Sequence, residues 1–475
     1  MSKVYICTAI PYVNGEPHIG HAMDYLLADV YARFRRNLGD EVRLHAGTDE
    51  HGNKVFSKAK ASGLSVEEFV AQNSAKFQNF IQKLKISNTD FIRTTDADHV
   101  RRCQEIWRRL EDHIYTGEYD GWYCEGCEGF VTEKEYEENH GICPDHQKPY
   151  ERLQEKNYYL RISDFKDAIR TKIEQDELRI VPEFRKQEML RLLDDAPDIS
   201  ISRPRKQLSW GVPVPGDDDQ VMYVWIDALS NYITVLGYPD VDGPEFSDWW
   251  PATVQFIGKD ILRFHAITWP AILLGLGLPL PRALSVHGYV LADSQKMSKS
   301  IGNVIDPIEV LDRHGLEAMR YYFLRHVDSF ADADFTWEKF DNAYNNELAN
   351  DLGNLVQRLA TLCKKNSISQ QIATRPQDDE YNNLLMNFES SKAFDYVWTK
   401  VQALNKQIDE AKPWELAKTG DTAKLQSVMS ALVQGIIEVG YLIEPFLPDT
   451  SIRILQIFTG DGAILPPETP LFPKN

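Results

Sequence analysis

Cysteine is scarce in this sequence, positive charge is outnumbered by negative, and an uninterrupted apolar run is missing altogether. Six cysteines in 475 residues, three of them isolated at Cys7, Cys103 and Cys363, do not make a disulfide framework and point to a reducing compartment. The most apolar late stretch, 428–447, is broken by Gln434, Glu438 and Glu444, within the roughly 20 residues a membrane span needs. No membrane segment is expected. Residues 1–9 have neither the basic start, apolar run and cleavage site of a secretion signal nor the arginine-rich, acid-poor helix of a transit peptide. A cytoplasmic location is therefore expected. The 52 Lys and Arg against 71 Asp and Glu leave a net charge of -19, which opposes broad binding to nucleic acid, because cations that neutralise phosphate supply most sequence-independent affinity. Any RNA contact has to be local and selective.

Material for burial is plentiful: 43% of residues are hydrophobic and 11% aromatic, enough for two to four packed domains. Val4, Ile6 and Thr8 alternate with Tyr5 and Cys7 as in a strand, and Pro11, Asn14, Gly15 and Pro17 then break the pattern. From His18 onward Ile19, Met23, Leu26, Val30, Phe34 and Leu38 recur at helical spacing, and Gly39 closes the segment as a helix cap does. Val42, Leu44 and Ala46 alternate again. Residues 3–46 thus predict a βαβ unit, the start of an α/β fold with a doubly wound, Rossmann-type parallel sheet whose crevice lies at the strand ends. Over 117–219 the pattern changes to short aromatic-rich runs, a cysteine cluster and the proline-punctuated stretch 203–215, which reads as an inserted domain. Apolar runs at 221–228, 254–257 and 283–286 then predict further buried strands, with a helix around 262–274. From about 340 helical spacing dominates, predicting a C-terminal α-helical bundle. The expected organisation is 1–116 and 220–290 for the two halves of the sheet domain, 117–219 for the insert, 291–339 for a linking region and 340–475 for the bundle.

Three motifs carry chemistry. Cys124-Glu125-Gly126-Cys127 and Cys143-Pro144-Asp145-His146 are two short-bite chelating pairs. Three thiolates and one imidazole complete a tetrahedron with no open position, so Cys124, Cys127, Cys143 and His146 predict one structural Zn2+. Such a site contributes on the order of 10 to 16 kcal/mol in small peptides, enough to order an insert without its own core. His140 is a rival for the fourth position. The second motif, His18-Ile19-Gly20-His21, opens the first helix after a Gly/Pro turn and sets two imidazoles on one face near its positive end, where a triphosphate could bind. Gly20 would let a nucleotide approach closely. Taken alone, the string equally describes two surface histidines capping a helix. The third motif, Lys296-Met297-Ser298-Lys299-Ser300, places two ammonium groups three residues apart, suited to neutralising a leaving pyrophosphate; alone it would be a solvated loop.

In this order the second and third motifs resemble the paired signatures of class I aminoacyl-tRNA synthetases. The resemblance covers nearly the whole chain and is to the methionyl branch, through Ala9-Ile10-Pro11-Tyr12-Val13-Asn14-Gly15, Ala46-Gly47-Thr48-Asp49-Glu50-His51-Gly52, Trp210-Gly211-Val212-Pro213-Val214-Pro215, Tyr223-Val224-Trp225-Ile226-Asp227-Ala228, Phe256-Ile257-Gly258-Lys259-Asp260, His287-Gly288-Tyr289-Val290 and Pro413-Trp414. Leucyl, isoleucyl and valyl enzymes lack this combination. It implies ATP-dependent activation of L-methionine to the adenylate and transfer to initiator and elongator tRNA(Met), with Mg2+ accompanying ATP and a single zinc knuckle. His18, Gly20, His21, Lys296, Ser298 and Lys299 would bind ATP, the histidines and lysines stabilising developing phosphate charge. Residues 291–339 would carry the lysine loop and contact the tRNA stem. Asp49 would hold the substrate ammonium, with Ile10 and Tyr12 beside it. Trp225 would close the side-chain pocket, and Tyr232 and His265 would meet the sulfur, where weak donors and an aromatic surface suit a polarizable atom. Asn354 and Arg358, four apart on one helical face, and Trp414 match positions that read the CAU anticodon. Leu229 and Arg263 depart from the pattern. With no appended dimerising domain, a monomer is expected. Two other readings remain open on the residues: a tRNA binder or methionine sensor without catalysis, and a nucleotidyltransferase sharing only the histidine string.

Overall fold

The computed structural model describes residues 2–124, 129–144, 147–292, 295–296 and 305–474. The predicted βαβ start forms from β1 (Lys3–Thr8), α1 (Ile19–Asn37) and β2 (Glu41–Thr48), with β1 and β2 parallel from Lys3↔Glu41 to Cys7↔His45. Buried residues of α1 include Met23, Leu26, Val30 and Phe34 but also Asp24, Ala28 and Asp29, a wider band than the single stripe of a surface helix. The reason is that α1 lies between the sheet and the C-terminal helices. Gly39 follows it with φ at 89°, a left-handed conformation that glycine adopts without strain.

Six parallel strands make the central sheet, in the order β3 (Asp90–Arg93), β2, β1, Val254–Gly258, Ala283–His287 and Arg179–Val181. From β1 the chain winds outward through β2 to β3, and on the other side from Val254–Gly258 to Ala283–His287. The reversal between β1 and Val254–Gly258 opens a crevice at their carboxyl ends, where ligands bind in such sheets.

Two of the three later strands were read correctly. The run 221–228 is not a strand of this sheet: Asp217–Met222 pairs antiparallel with Ser202–Pro204 and Pro213–Val214, and Val224–Thr234 is a helix in which every residue but Trp225 is buried. A short apolar run buried on all sides has no polar face to reveal its period. Residues 117–219 are also not wholly an insert, because Arg179–Val181 within them forms the sheet's edge strand on Ala283–His287. Three residues are too few to carry a periodic signal. Much of the remainder forms a four-stranded antiparallel sheet, Gly129–Val131, Ile114–Cys124, Glu151–Leu160 and Ile199–Ser200.

Beyond residue 340 the chain is helical, with Asn354–Lys365, Asp379–Met386, Ser390–Ala411, Thr422–Leu442 and Pro448–Phe458 packed together. Thr422–Leu442 is, among the described residues, the helix long and apolar enough to span a membrane. Its Met429, Leu432, Val433, Ile436 and Ile437 are bundle core, and Glu438 pairs with Lys400 at 2.8 Å. One hydrophobic core runs from β1 and α1 into the bundle. Arg320 spans that seam fully buried, paired with Asp29 of α1 at 2.8 Å and donating to the carbonyls of Pro445 (2.9 Å) and Phe446 (2.6 Å). Removing one partner of such a pair typically costs about 3–5 kcal/mol, so this contact fixes the bundle against α1.

Candidate active site

His18 is the N-cap of α1, and the first turn is closed by imidazoles where serine and glutamate more often serve. His18 Nδ1 accepts from the Gly20 N–H at 3.2 Å, and His21 Nδ1 accepts from the His18 N–H at 3.1 Å. A ring nitrogen that accepts a hydrogen bond carries no proton, so each neutral ring keeps its proton on Nε2. Both therefore present an N–H donor at the positive end of the helix. The rings stack at 3.7 Å, and His21 sets its edge against Phe77 at 5.1 Å. A Cβ on Gly20 would sit 3.0 Å from Nδ1 and Cε1 of His18. Glycine leaves the capping ring undisturbed here, where a Cβ would press on it. The geometry that caps the helix also sets both rings at its N-terminus.

Lys296 follows from the sheet's next strand. Gly288, just after Ala283–His287, allows the chain to pass the 331–332 backbone, which a Cβ would meet at 2.3 Å. Val290–Ala292 then pairs in parallel with Ala333–Phe335 and antiparallel with Gln295–Lys296, Leu291 opposite Lys296. The Val290–Ala292 strand touches α1. The backbone of Lys296 is thereby carried at the carboxyl end of the sheet, on the side of the histidine helix. Ser298 and Lys299 lie outside the described residues.

Asp49 is 3% exposed and pinned by its own backbone, its N–H donating to the Pro11 carbonyl at 2.9 Å and its carbonyl accepting from Val13 at 3.1 Å. This bridge sets Tyr12 opposite Asp49. Gly47 lets Ile10 close down, since a Cβ there would lie 3.1 Å from Ile10 and 2.6 Å from Ile92. Across the crevice Trp225 lies flat on Phe264 at 3.9 Å and meets His265 edge-on at 6.3 Å. His265 sits in a π-helical turn, Phe264–Thr268, that runs into Trp269–Gly275; such widened turns recur at functional sites. Its Nδ1 lies 2.9 Å from the Ile261 carbonyl and its Nε2 2.8 Å from the Tyr232 hydroxyl. A carbonyl can only accept, so Nδ1 is the protonated nitrogen and the Tyr232 hydroxyl donates to Nε2. Burial drives His265 down to about 4 against the raising effect of the Ile261 hydrogen bond, and burial pushes the Tyr232 hydroxyl well above its usual range. The pair is neutral at physiological pH.

His45, fully buried beside this wall with Nε2 2.6 Å from the Asn231 amide oxygen, is likewise held at about 4 by burial. Histidines neutral in the folded state but titrating near 6.5 when unfolded make stability full above about pH 6.5 and progressively lower down to about pH 4. Each contributes roughly 3 kcal/mol to that slope. His265→Gln, whose amide can donate to Ile261 and accept from Tyr232, is expected to flatten it. Urea midpoints of both proteins between pH 7 and 4 check this; parallel slopes would contradict it.

Other groups escaped the sequence reading. The His51 ring donates to Asp227 at 2.6 Å and His99 to its other oxygen at 2.8 Å. Burial raises the Asp227 carboxyl, and the two imidazoles outweigh that, leaving it at about 2. His51 and Asp227 both stand in motif strings noted above, but 176 residues separate them, and no spacing rule joins such partners. Phe264, beneath Trp225, was passed over as an ordinary apolar residue beside His265. Ligand-type atoms of His99, Cys103 and Asp227 lie within 4.8 Å of one another, but hydrogen bonds already join them, Cys103 Sγ lying 3.2 Å from His99 Nε2.

Cys124 and Cys143 are buried in one small cluster with Tyr150, flanked by Trp122, Val131 and Tyr136. Around Cys143 the chain turns tightly, its N–H donating to the Lys148 carbonyl and its carbonyl accepting from Gln147, both at 2.8 Å. Two buried thiols in a cluster too small to be a core of its own fit a structural metal. Cys127 and His146 lie outside the described residues, and the rival His140 is exposed. In the bundle the guanidinium of Arg358 lies over the Trp414 ring at 5.2 Å and donates to Asp409 at 2.7 Å. Asn354 is exposed one turn earlier on the same helix. Lys412, with φ at 46°, turns the chain into Pro413 and brings Trp414 to this face.

Residues 4–152 and 145–360 match the family model described as tRNA synthetases class I (M). A methionine–tRNA ligase of Thermotoga maritima is 38% identical over 473 residues, covering 96% of this chain and 75% of the relative. One from Brucella suis is 36% identical over 515 residues, covering 99% and 98%. Among solved structures, Mycobacterium tuberculosis methionyl-tRNA synthetase in complex with methionyl-adenylate matches with a TM-score of 0.92 at 33% identity, covering all of both chains. The apo form of that enzyme matches at 0.85 and 31% identity, covering 100% of this chain and 98% of the other. With the histidine-capped helix at the sheet's switch point and the aromatic wall beside it, these matches establish that the chain belongs to the methionyl-tRNA synthetases, within class I of the aminoacyl-tRNA synthetases.

Proposed function

We propose that this chain is a monomeric, cytoplasmic methionine–tRNA ligase whose methionine site is the pocket between Asp49 and the Trp225–Tyr232–His265 wall. The observation that carries the reading is the convergence of two Nε2–H donors at a helix N-terminus with a neutral aromatic pocket on one sheet crevice. Asp49 would pair with the substrate ammonium by charge-assisted hydrogen bonds, and the thioether would enter the wall of Trp225, Tyr232 and His265, beside Tyr12 and Ile10. The substrate carboxylate attacks the α-phosphorus of ATP in line; a new C–O–P bond forms as the bond to pyrophosphate breaks. His18 and His21 donate to phosphate oxygens as charge builds, and Lys296 and Lys299 neutralise the leaving group, with Ser298 beside them. Mg2+ supplies further charge neutralisation on the polyphosphate. No protein nucleophile is needed, since positioning and electrostatics carry such displacements. The hydroxyl of the terminal adenosine of tRNA then takes the methionyl group and AMP leaves.

Selection for methionine on this reading rests on shape and polarizability. The protons of Tyr232 and His265 are already engaged, so the wall offers sulfur an aromatic, polarizable surface more than the donors expected from sequence. One missing methylene supplies roughly 1 to 3 kcal/mol of discrimination, and modest rejection of homocysteine follows. Exchange of pyrophosphate into ATP, run with each of the twenty amino acids, tests the proposal. Methionine is expected to support it; exchange with no amino acid, or with another in its place, would refute the assignment.

Arg358, Asn354 and Trp414 would read the anticodon, edges by hydrogen bonds and one base by stacking. Base–aromatic stacking contributes about 1–3 kcal/mol, so Trp414→Ala is expected to lower kcat/KM for tRNA(Met) by about 10- to 100-fold and to leave pyrophosphate exchange unchanged. An equal fall in both would place Trp414 in the core alone. Cys124, Cys127, Cys143 and His146 would hold one zinc, which elemental analysis should find at one equivalent per chain and Cys143→Ser should abolish.

A further inference from the structure

The carboxylate of Asp227 joins the two halves of the methionine pocket. It stands on the helix Val224–Thr234, two residues after Trp225 and five before Tyr232, and is 1% exposed. His51, which donates to it at 2.6 Å, is two residues after Asp49 in the loop that ends β2. The hydrogen bonds of its neighbours Glu50 and Gly52 lead elsewhere. Glu50 receives Arg93 at 2.7 and 2.8 Å, its carbonyl accepts from the Trp210 indole at 2.7 Å, and Gly52 donates to the Trp210 carbonyl at 3.2 Å. These fix the loop to β3 and to residue 210 but not to the helix that carries the thioether wall. Deeper in the pocket His45 meets Asn231 at 2.6 Å and Tyr5 donates to the Tyr232 carbonyl at 3.0 Å, joining the helix to the strands but not to the loop.

We propose that the His51–Asp227 contact is a positioning device that sets the distance between the ammonium-binding Asp49 and the side-chain wall, so that an amino acid must satisfy both at once. The second oxygen of Asp227 accepts from His99, whose other nitrogen lies 2.7 Å from the Thr234 hydroxyl. His99 belongs to the helix Ala97–Arg109, which carries no residue of the pocket. His99 therefore supports the carboxylate, whereas His51 transmits it to Asp49. This asymmetry supplies the test, which rests on the proposed pocket: absence of methionine-dependent exchange in the unmodified enzyme would remove the pocket assignment itself.

His51→Gln and His99→Gln each delete one imidazole from the same buried carboxylate. A purely structural role predicts like effects from both. Positioning predicts that His51→Gln raises the KM for methionine by about 10- to 100-fold, the scale of a misplacement near 1 Å, with the KM for ATP changed less than about twofold. It also predicts that His51→Gln narrows the preference for methionine over its des-amino analogue, measured as the ratio of KM to inhibition constant. His99→Gln should lower the melting temperature and leave that ratio unchanged. Asp227→Asn should match His51→Gln, and adding His51→Gln to it should bring no further loss of methionine affinity; should Asp227→Asn not fold, the two histidine variants decide alone. Equal rises in methionine KM for both histidine variants, or a parallel rise in the KM for ATP, would overturn the proposal. So would a second equivalent of zinc lost with His99→Gln, which would make the cluster a metal site.

Discussion

His21→Gln is expected to reduce methionine-dependent pyrophosphate exchange by about 10²- to 10³-fold, the usual cost of deleting one preorganised donor to developing charge, while the melting temperature stays nearly constant. The prediction depends on separating two roles of one ring. His21 Nδ1 accepts from the His18 N–H and so completes the first turn of α1. Glutamine at the same helix position makes that reciprocal cap in many proteins, so His21→Gln preserves it and removes the ring Nε2–H, while the amide N–H that glutamine brings is not held in place by stacking on His18. His21→Ala loses both and should add about 1 kcal/mol of destabilisation from the lost cap. If His21→Gln and His21→Ala both exchanged pyrophosphate at the parental rate, the ring would be a cap and nothing more, and the nucleotide assignment of the crevice would fail with it.

How much of this could be read from sequence depends on whether the information is local. The βαβ start was legible because β1, α1 and β2 each expose a period that side chains report directly, and Gly39 punctuates the helix. Arg179–Val181 was not, because three residues carry no period and their place in the sheet depends on a partner more than a hundred residues away. The helix Val224–Thr234 was misread as a strand for the opposite reason: it is buried nearly all round, so its apolar run has no contrasting face. At the site, His18, His21, Ile10, Tyr12, Asp49 and Trp225 stood in motif strings, and Tyr232 and His265 could be named only from resemblance. What the strings could not give was the tautomer of each imidazole, since that is set by what the other ring nitrogen meets: a backbone N–H for His18 and His21, the Ile261 carbonyl for His265. Asp227 illustrates the same limit, a buried acid whose role exists only through His51 and His99.

Asp49→Asn should produce a loss confined to methionine, with KM rising by about 10²- to 10³-fold and ATP affinity little changed. The side chain is isosteric, and the backbone bonds to Pro11 and Val13 that place it do not involve the carboxylate, so the loop should keep its shape. What disappears is the negative charge. Truncating one partner of a desolvated, hydrogen-bonded charge pair costs about 3–5 kcal/mol, and the amide oxygen, still able to accept from the ammonium, recovers part of that. The decisive measurement is again a comparison with the des-amino analogue, which carries the thioether and carboxylate but no ammonium. The unmodified enzyme should bind it far more weakly than methionine, because the analogue brings no ammonium to form the charge-assisted hydrogen bond with Asp49. Asp49→Asn should bind the two nearly alike, losing affinity for methionine and gaining it for the analogue. A variant that weakened both ligands equally would mean that Asp49 shapes the pocket without touching the ammonium, and the site for the substrate's charged end would have to be sought elsewhere on the crevice.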